Sequence, residues 1–179
     1  MRMKNIAYAL LLMPCIGAAN AEMPHVGFYQ TVDDEIHKPK SIVALYECHK
    51  DADTLALCGR IIALYDTDTG KISETMNSPV RVADKVKGSP KIAGMDIIWN
   101  MKWDADDNEY SGGKIMDPKS GSVYSSVIWA DKKDPNKLNV RGKIGPFGRT
   151  QVWNLMTAAD LPTDLQKIDT KNWTPVVVK

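Results

Sequence analysis

Gly112-Gly113-Lys114-Ile115-Met116-Asp117-Pro118-Lys119-Ser120-Gly121-Ser122-Val123-Tyr124 reads as a strand, a tight reversal and a second strand. Asp117 can accept hydrogen bonds from the backbone ahead of it, and Pro118 presets φ near about −65° for the first corner. Gly121 suits a left-handed position, which costs a residue with a Cβ about 1–2 kcal/mol. The stretch predicts a hairpin of fixed register. Apolar segments of similar length flank it on both sides.

On its C-terminal side, residues 122–130 set Val123, Val127 and Trp129 on one face of a strand and Tyr124 and Ile128 on the other. Leu138, Val140 and Ile144 then alternate with Asn139, Arg141 and Lys143, and residues 149–156 carry Val152, Trp153 and Leu155. On the N-terminal side, Ile97, Trp99, Met101 and Trp103 alternate with Ile98, Asn100 and Lys102. That period of two predicts a strand over 95–103 with Trp99 and Trp103 on one face. Residues 25–32, 40–48 and 55–64 complete a set of eight strands. Short turns link nearly all of them. The pattern favours an all-β, eight-stranded antiparallel up-and-down barrel, which closes without an exposed edge.

The rhythm fails over residues 66–94, which are polar, hold Gly70, Pro79, Gly88 and Pro90, and show little periodicity. So long a connection in a compact domain is usually functional or partly ordered, and it is a candidate lid. Thr163-Asp164-Leu165-Gln166 has the form of a capping box and predicts a short C-terminal helix outside the barrel. Residues 173–178 could add a strand, within a C-terminal extension of about residues 157–179.

The chain opens Met1-Arg2-Met3-Lys4, runs apolar from Ile6 to Ala19 and then reads Ala19-Asn20-Ala21. A positive end, a short apolar segment and a small-x-small exit predict a signal peptide over residues 1–21, cleaved after Ala21. Residues 22–179 would then be a single domain, exported to the periplasm or secreted. The apolar run is too short to span a bilayer and no later stretch is longer, so no transmembrane segment is expected. A lipoprotein signal ending at Cys15 is disfavoured by Pro14 before it.

Cleavage removes Cys15 and leaves Cys48 and Cys58, ten residues apart, suited to two neighbouring antiparallel strands. Exported proteins keep disulfides, and closing this loop stabilises the fold by roughly 2.5–3 kcal/mol in the chain-entropy model. The alternatives are a redox pair or a metal site. Against them, there is no Cys-x-x-Cys spacing and only His49 lies nearby. The 23 basic and 22 acidic residues nearly balance, and the signal takes Arg2 and Lys4 with it. No electrostatic case remains for nucleic acid or an anionic membrane surface.

Catalytic signals are weak. Tyr65-Asp66-Thr67-Asp68-Thr69 follows an apolar strand as in aspartate-dependent phosphatases, but that chemistry needs parallel strands alternating with helices, and this chain has no such alternation. Asp104, Asp106 and Asn108 match the first ligand positions of a calcium loop. Glu109 stands where the glycine is needed, however, and Ile115 where the closing glutamate is needed. His25, His37 and His49 lack metal-ligand spacing, and no glycine-flanked serine or glycine-rich phosphate loop occurs. No cofactor, metal or catalytic residue is expected. The aromatic residues carry more. Trp99, Trp103, Trp129 and Trp153 all fall in predicted strands. Core filling accounts for any one of them, but an eight-stranded interior either fills with side chains or holds one small ligand. Tryptophans with Met101 and a few polar groups would make an apolar pocket.

Five motifs run in order along the chain. They are Gly27-x-Tyr29-x-Thr31, Leu57-Cys58-Gly59-Arg60-Ile61, Gly112-Gly113-Lys114-Ile115-x-Asp117-Pro118-x-x-Gly121-x-x-Tyr124, Leu138-x-Val140-Arg141-Gly142-x-Ile144-Gly145 and Gly148-Arg149-x-Gln151-x-Trp153. In these the run from Gly27 to Trp153 resembles a family of bacterial exported proteins classed as a domain of unknown function. The resemblance implies a lipocalin-like (calycin) barrel with no established activity. Lipocalins usually carry Gly-x-Trp on the first strand, its ring packed near an arginine of the last strand at the closed end. By that analogy Gly27, Tyr29, Arg149 and Trp153 would be structural residues of the closed end. Tyrosine here replaces the tryptophan, with a cation–π contact retained. The family also tends to carry Asp-x-x-Asn-Pro after the third strand. Asp66 and a displaced Asn77-Ser78-Pro79 stand here instead, which marks the long loop as particular to this chain.

The leading expectation is a non-enzymatic protein holding a small, mostly hydrophobic or amphipathic ligand inside the barrel. Trp99, Met101, Trp103, Tyr124 and Trp129 are the candidate lining residues, with at most one of Tyr124 and Trp129 facing inward. The alternative is a filled barrel serving as a protein–protein interaction module of the cell envelope or host interface, through the long loop or Val176-Val177-Val178. A periplasmic enzyme comes third and would need carboxylates converging inside the barrel.

Overall fold

The structure, a computed structural model, describes residues 23–33, 35–51 and 54–176. The expected signal peptide lies outside them. Among the described residues there are nine strands: β1 (Gly27–Val32), β2 (Pro39–Asp51), β3 (Thr54–Tyr65), β4 (Ile72–Thr75), β5 (Asp96–Asp104), β6 (Glu109–Met116), β7 (Val123–Ala130), β8 (Lys137–Ile144) and β9 (Phe147–Met156). Every pairing is antiparallel. Eight strands close in the order β1-β2-β3-β5-β6-β7-β8-β9, with β9 returning to β1. The short β4, inside the 66–94 connection, pairs with β3 beyond the stretch that pairs β5. The result is an all-β, closed, eight-stranded barrel.

The hairpin between β6 and β7 forms as its residues dictate. The Gly121 amide donates to Asp117 O and the Asp117 amide to Ser122 O. The Asp117 carboxylate accepts from the Lys119 amide and Ser120 Oγ, and Gly121 sits at φ 72°. Gly113 is the second fixed point. A Cβ there would lie 2.5 Å from Trp99 O and 2.8 Å from Met101 N, so the backbones of β5 and β6 approach too closely for a side chain.

Perfect alternation breaks in the same place. Asn100 in β5 takes φ 58° and Gly112 in β6 takes φ 73°. Each sits where its strand carries one residue more than a neighbour, β5 against β3 and β6 against β7. Such a bulge shifts the pleat by one. Ile98 stands opposite Gly59 and Met101 opposite Leu57, both inward, whereas Trp99 pairs with the exposed Lys114 and faces out. Trp99 and Trp103 therefore lie on opposite faces, against the expectation from unbroken period two.

Two layers of core result. Inside the barrel pack Tyr29, Leu45, Leu57, Met101, Tyr110 and Trp153, with others. On the outer face of β2 and β3, Ile42, Ala44 and Ile62 pack under Leu161 and Leu165 of the C-terminal extension. Burial on both faces explains why these two strands read as near-continuous apolar runs. The Cys48–Cys58 disulfide links β2 to β3 with a Cα–Cα distance of 5.8 Å, in an outer cluster that Trp173 joins.

The expected C-terminal helix is only a 3-10 turn, Ala158–Asp160. Residues 163–167 turn without becoming helical, because Asp164 is engaged elsewhere, bonded to Thr75 Oγ1 and Asn77 Nδ2. Nor do the described residues of the tail, 173–176, add a strand. Arg60 pairs with Asp96 at 2.8 Å, lies 4.4 Å from the Trp173 ring centre and donates to Thr174 O. Tyr46 Oη and the Val176 amide also donate to Asp96. Burial opposes the charge on Arg60, but Asp96 and Tyr46 outweigh it and raise the guanidinium pKa. A buried ion pair thus ties the tail to the wall.

The candidate lid is packed in place. Ala83, Val86 and Ala93 join the inner core, and Gly121 meets Lys85 O so closely that a Cβ would lie 2.7 Å from it. Glu74 accepts from the amides of Val80 and Arg81 and from the Arg81 guanidinium.

Candidate ligand-binding cavity

The two ends of the barrel are built differently. At one end, residues 23–26 cross the opening. Tyr110 Oη donates to Pro24 O at 2.6 Å, Tyr29 Oη to His25 O at 3.2 Å, and the Met23 amide to Glu47 Oε1 at 3.1 Å. His25 packs edge-on to Trp103 with ring centres 5.9 Å apart, and Trp103 lies 4.9 Å from Tyr110. Loss of solvent pushes the His25 pKa below its ordinary value and the Tyr29 pKa up to about 12. This end is closed.

At the opposite end a cavity of ≈ 400 Å³ remains. Its apolar wall includes Ile61, Ile97, Ile115, Val140 and Trp153, and its polar groups include Thr31, Ser41, Tyr124 and Gln151. Trp153, 1% exposed, belongs both to this wall and to the packed core beyond it. The rim carries Lys40, Arg149 and Asp117, together with Ile144 and Phe147, which are 62% and 79% exposed.

Small residues at inward positions keep the space open. A Cβ on Gly142 would make only ordinary contacts, 3.5 Å from Ile115 and from Tyr124. Opposite Gly142 stands Ser126, whose Oγ is the one buried side-chain polar atom without a partner among the described residues. Thr31 Oγ1 and Ser41 Oγ, on paired residues of β1 and β2, lie 2.7 Å apart, and Thr31 Oγ1 also accepts the Ser41 amide at 3.1 Å. At the rim, Lys40 Nζ lies 3.9 Å from the Asp33 carboxylate. The amides of Glu35 and Ile36 foremost, then the charges of Lys40 and Arg149, hold Asp33 below the usual carboxylate range against the opposing effect of burial.

Of the residues expected to line a pocket, Tyr124 does so, and Trp129 on the same strand faces outward beside Arg141 and Lys143. Met101 points inward but is fully buried in the core, Trp103 belongs to the closed end, and the β5 bulge turns Trp99 out. Gly27 and Tyr29 stand near the closed end, yet Arg149 does not join them. Tyr29 pairs with Leu155, while Arg149 pairs with Gly142 near the far end of β9. At about 3.3 Å per residue that separates them by roughly 20 Å, too far for the expected cation–π contact. Trp153 likewise lines the cavity rather than the closed end. Thr31, Ser41 and Gly142 were not anticipated. Their signal was small or polar residues in the inward phase of strands otherwise filled by large apolar ones.

Asp66 and Asp104, which mimic catalytic and calcium-binding patterns, each accept amides of their own turn. Among the described residues no group of three or more His, Cys, Asp or Glu side chains could hold a metal ion.

Over residues 27–154 the sequence matches a family described as "Uncharacterized protein conserved in bacteria (DUF2147)". No curated protein matches it. Among solved structures, protein HP1028 from the human pathogen Helicobacter pylori, described as belonging to the lipocalin family, aligns with a TM-score of 0.57. The identity is 18%, and the alignment covers 82% of this chain and 91% of that one. At such identity the likeness is one of fold, and the barrel is lipocalin-like. The family match spans β1 through most of β9, hence every strand that lines the cavity. The chain belongs to the bacterial DUF2147 family.

Proposed function

We propose that the protein is an exported, non-enzymatic carrier that holds a small, mostly apolar molecule between Thr31, Tyr124 and Trp153. The observation that carries this reading is the ≈ 400 Å³ cavity, open to solvent at one end of a barrel whose other end is sealed. Its size falls within the about 300–1,000 Å³ of small-molecule sites, and its wall is apolar with a few converging polar groups, as such sites are. One feature supports export: the Cys48–Cys58 disulfide suits an oxidising compartment. An interaction module working through the tail has less support, since Arg60 and Asp96 already hold residues 174 and 176.

Native mass spectrometry of the protein, purified gently from the compartment it occupies, tests the reading. A reproducible extra mass lost on denaturation is expected. Gly142→Leu, which grows a side chain into the cavity from a position with room for its Cβ, should abolish that mass while the protein still folds, at a stability cost within the about 1–3 kcal/mol of small-to-large changes. An unchanged mass on the variant would place the ligand elsewhere. A bare wild-type chain that also binds no apolar dye would sink the carrier reading.

A further inference from the structure

The chemistry of the mouth narrows the ligand class, given that the cavity is a ligand site. Thr31 and Ser41 are 4% and 5% exposed, and their hydroxyls share one hydrogen across 2.7 Å. Two hydroxyls carry two hydrogens, so whichever of the pair donates, the other hydroxyl hydrogen is left over. It has no acceptor among the described residues. A buried donor of this kind is costly unless something in the cavity accepts from it. An ammonium head, which only donates, cannot use it; a carbonyl, carboxylate or phosphate oxygen can.

Charge at the rim makes the same choice. Lys40 and Arg149 both line the cavity, the first an ammonium with three donors and the second a guanidinium with five. Two acids face them, and both are occupied. One Asp33 oxygen accepts the Glu35 and Ile36 amides, and the other approaches Lys40 no closer than 3.9 Å, beyond hydrogen-bond reach. Both Asp117 oxygens serve its own turn. Asp117 is the one carboxylate on the rim, and its oxygens are turned to its own hairpin, so the two cations outnumber it there. Deeper in, Ile61, Ile97, Ile115, Val140 and Trp153 offer apolar surface only. At about 30 Å³ per water-sized group, the ≈ 400 Å³ available takes roughly a dozen non-hydrogen atoms.

We propose that the cavity selects a single-chain amphiphile of medium length with an anionic, oxygen-bearing head. The head sits at the mouth against the Thr31–Ser41 hydroxyls, Lys40 and Arg149, and the tail runs inward to Trp153. Lys40 and Arg149 set the head-group preference, and Gly142 and Trp153 set the length.

Decanoate, decyl phosphate and decanol have the same chain and different heads, so they separate this inference from the carrier reading it rests on. Binding to the purified protein is followed by calorimetry and by tryptophan emission, with Trp153 the one tryptophan on the cavity wall. Decanoate or decyl phosphate should bind at least about tenfold more tightly than decanol, the effect of one added charge-assisted contact. In Lys40→Gln/Arg149→Gln that ratio should fall towards one while decanol still binds, which shows that the variant keeps a folded cavity. The tighter-binding anion identifies the head as carboxylate or phosphate. Equal binding of all three to the wild type overturns the head-group inference and leaves the cavity reading standing. Binding of none overturns both. A ratio that survives the double substitution shows that the head is not at the mouth, and overturns the placement argued here.

Discussion

The closed and open ends are two answers to one problem, how to fill the inside of eight strands. Near the closed end the inward positions carry Tyr29, Trp103 and Tyr110, and residues 23–26 bring carbonyls for two of the three hydroxyl or ring groups to meet. At the open end the corresponding positions carry Thr31, Ser41, Ser126 and Gly142, and the polar atoms are partnered only in part. Packing and satisfied hydrogen bonds at one end stabilise the barrel, which lets the other end stay under-filled. The difference teaches that stability and binding reside in separable residues of one continuous sheet. Substitutions at one end should move melting and at the other end affinity.

The largest effect is expected where the two halves meet. Gly113 lies opposite Ser126 on one side and against the β5 backbone at Trp99 and Met101 on the other. Gly113→Ala would press a methyl onto Trp99 O and Met101 N, neither of which can rotate away. The expected cost is about 3 kcal/mol, at the upper end for overpacking, read as a lower urea midpoint with unchanged slope. Both ends should fail together. A variant that retains wild-type stability would mean that β5 and β6 can separate at the bulge, and the two ends could then not be treated as one cooperative unit.

A smaller effect isolates the closed end. Tyr110→Phe removes the hydroxyl that donates to Pro24 O and keeps the ring against Trp103. Losing one buried hydrogen bond costs about 1 kcal/mol, while the dissociation constant for a cavity ligand should stay within twofold. Should affinity drop as much as stability, the plug would be coupled to the mouth and the separation would be wrong.

Locally encoded features were the legible ones. Asp117, Pro118 and Gly121 specify their turn within five residues, so the hairpin could be read directly, and alternation or a continuous apolar run bounded by turn residues located the barrel strands without any knowledge of their partners. What depended on partners was not legible. Asn100 takes a left-handed conformation because β5 must fit both β3 and β6, and that single bulge moves Trp99 from the inside to the outside. Arg149 has the residue type expected beside Tyr29, but its level is set by the β8–β9 register, which places it at the mouth. The capping-box pattern at Thr163 is outcompeted by the bonds of Asp164 to Thr75 and Asn77, far away in sequence. The cavity is written in what is missing, Gly142 and the hydroxyl residues Thr31 and Ser41 in inward phase. A search for aromatic pocket residues overlooks such a signal.

The smallest effect sharpens the comparison through pH. Burial lowers the His25 pKa from its ordinary 6.5, so the closed end favours the neutral ring. Above about pH 6.5 both folded and unfolded chains hold it neutral and its contribution is complete. As pH falls through that value the unfolded chain takes up a proton that the folded chain accepts only at lower pH, so stability declines until the folded value is passed. No histidine lines the cavity, and a carboxylate head stays charged over this range. Between pH 7 and 5.5 the melting temperature should therefore fall slightly more for the wild type than for His25→Phe, which keeps an aromatic ring against Trp103 and cannot titrate. Affinity for a cavity ligand should be flat over the same interval in both proteins. Parallel melting curves in the two would show that the proton is not taken up at His25. A shared loss of affinity would show that acid acts at the mouth as well, and the closed end would then no longer be the more pH-sensitive of the two.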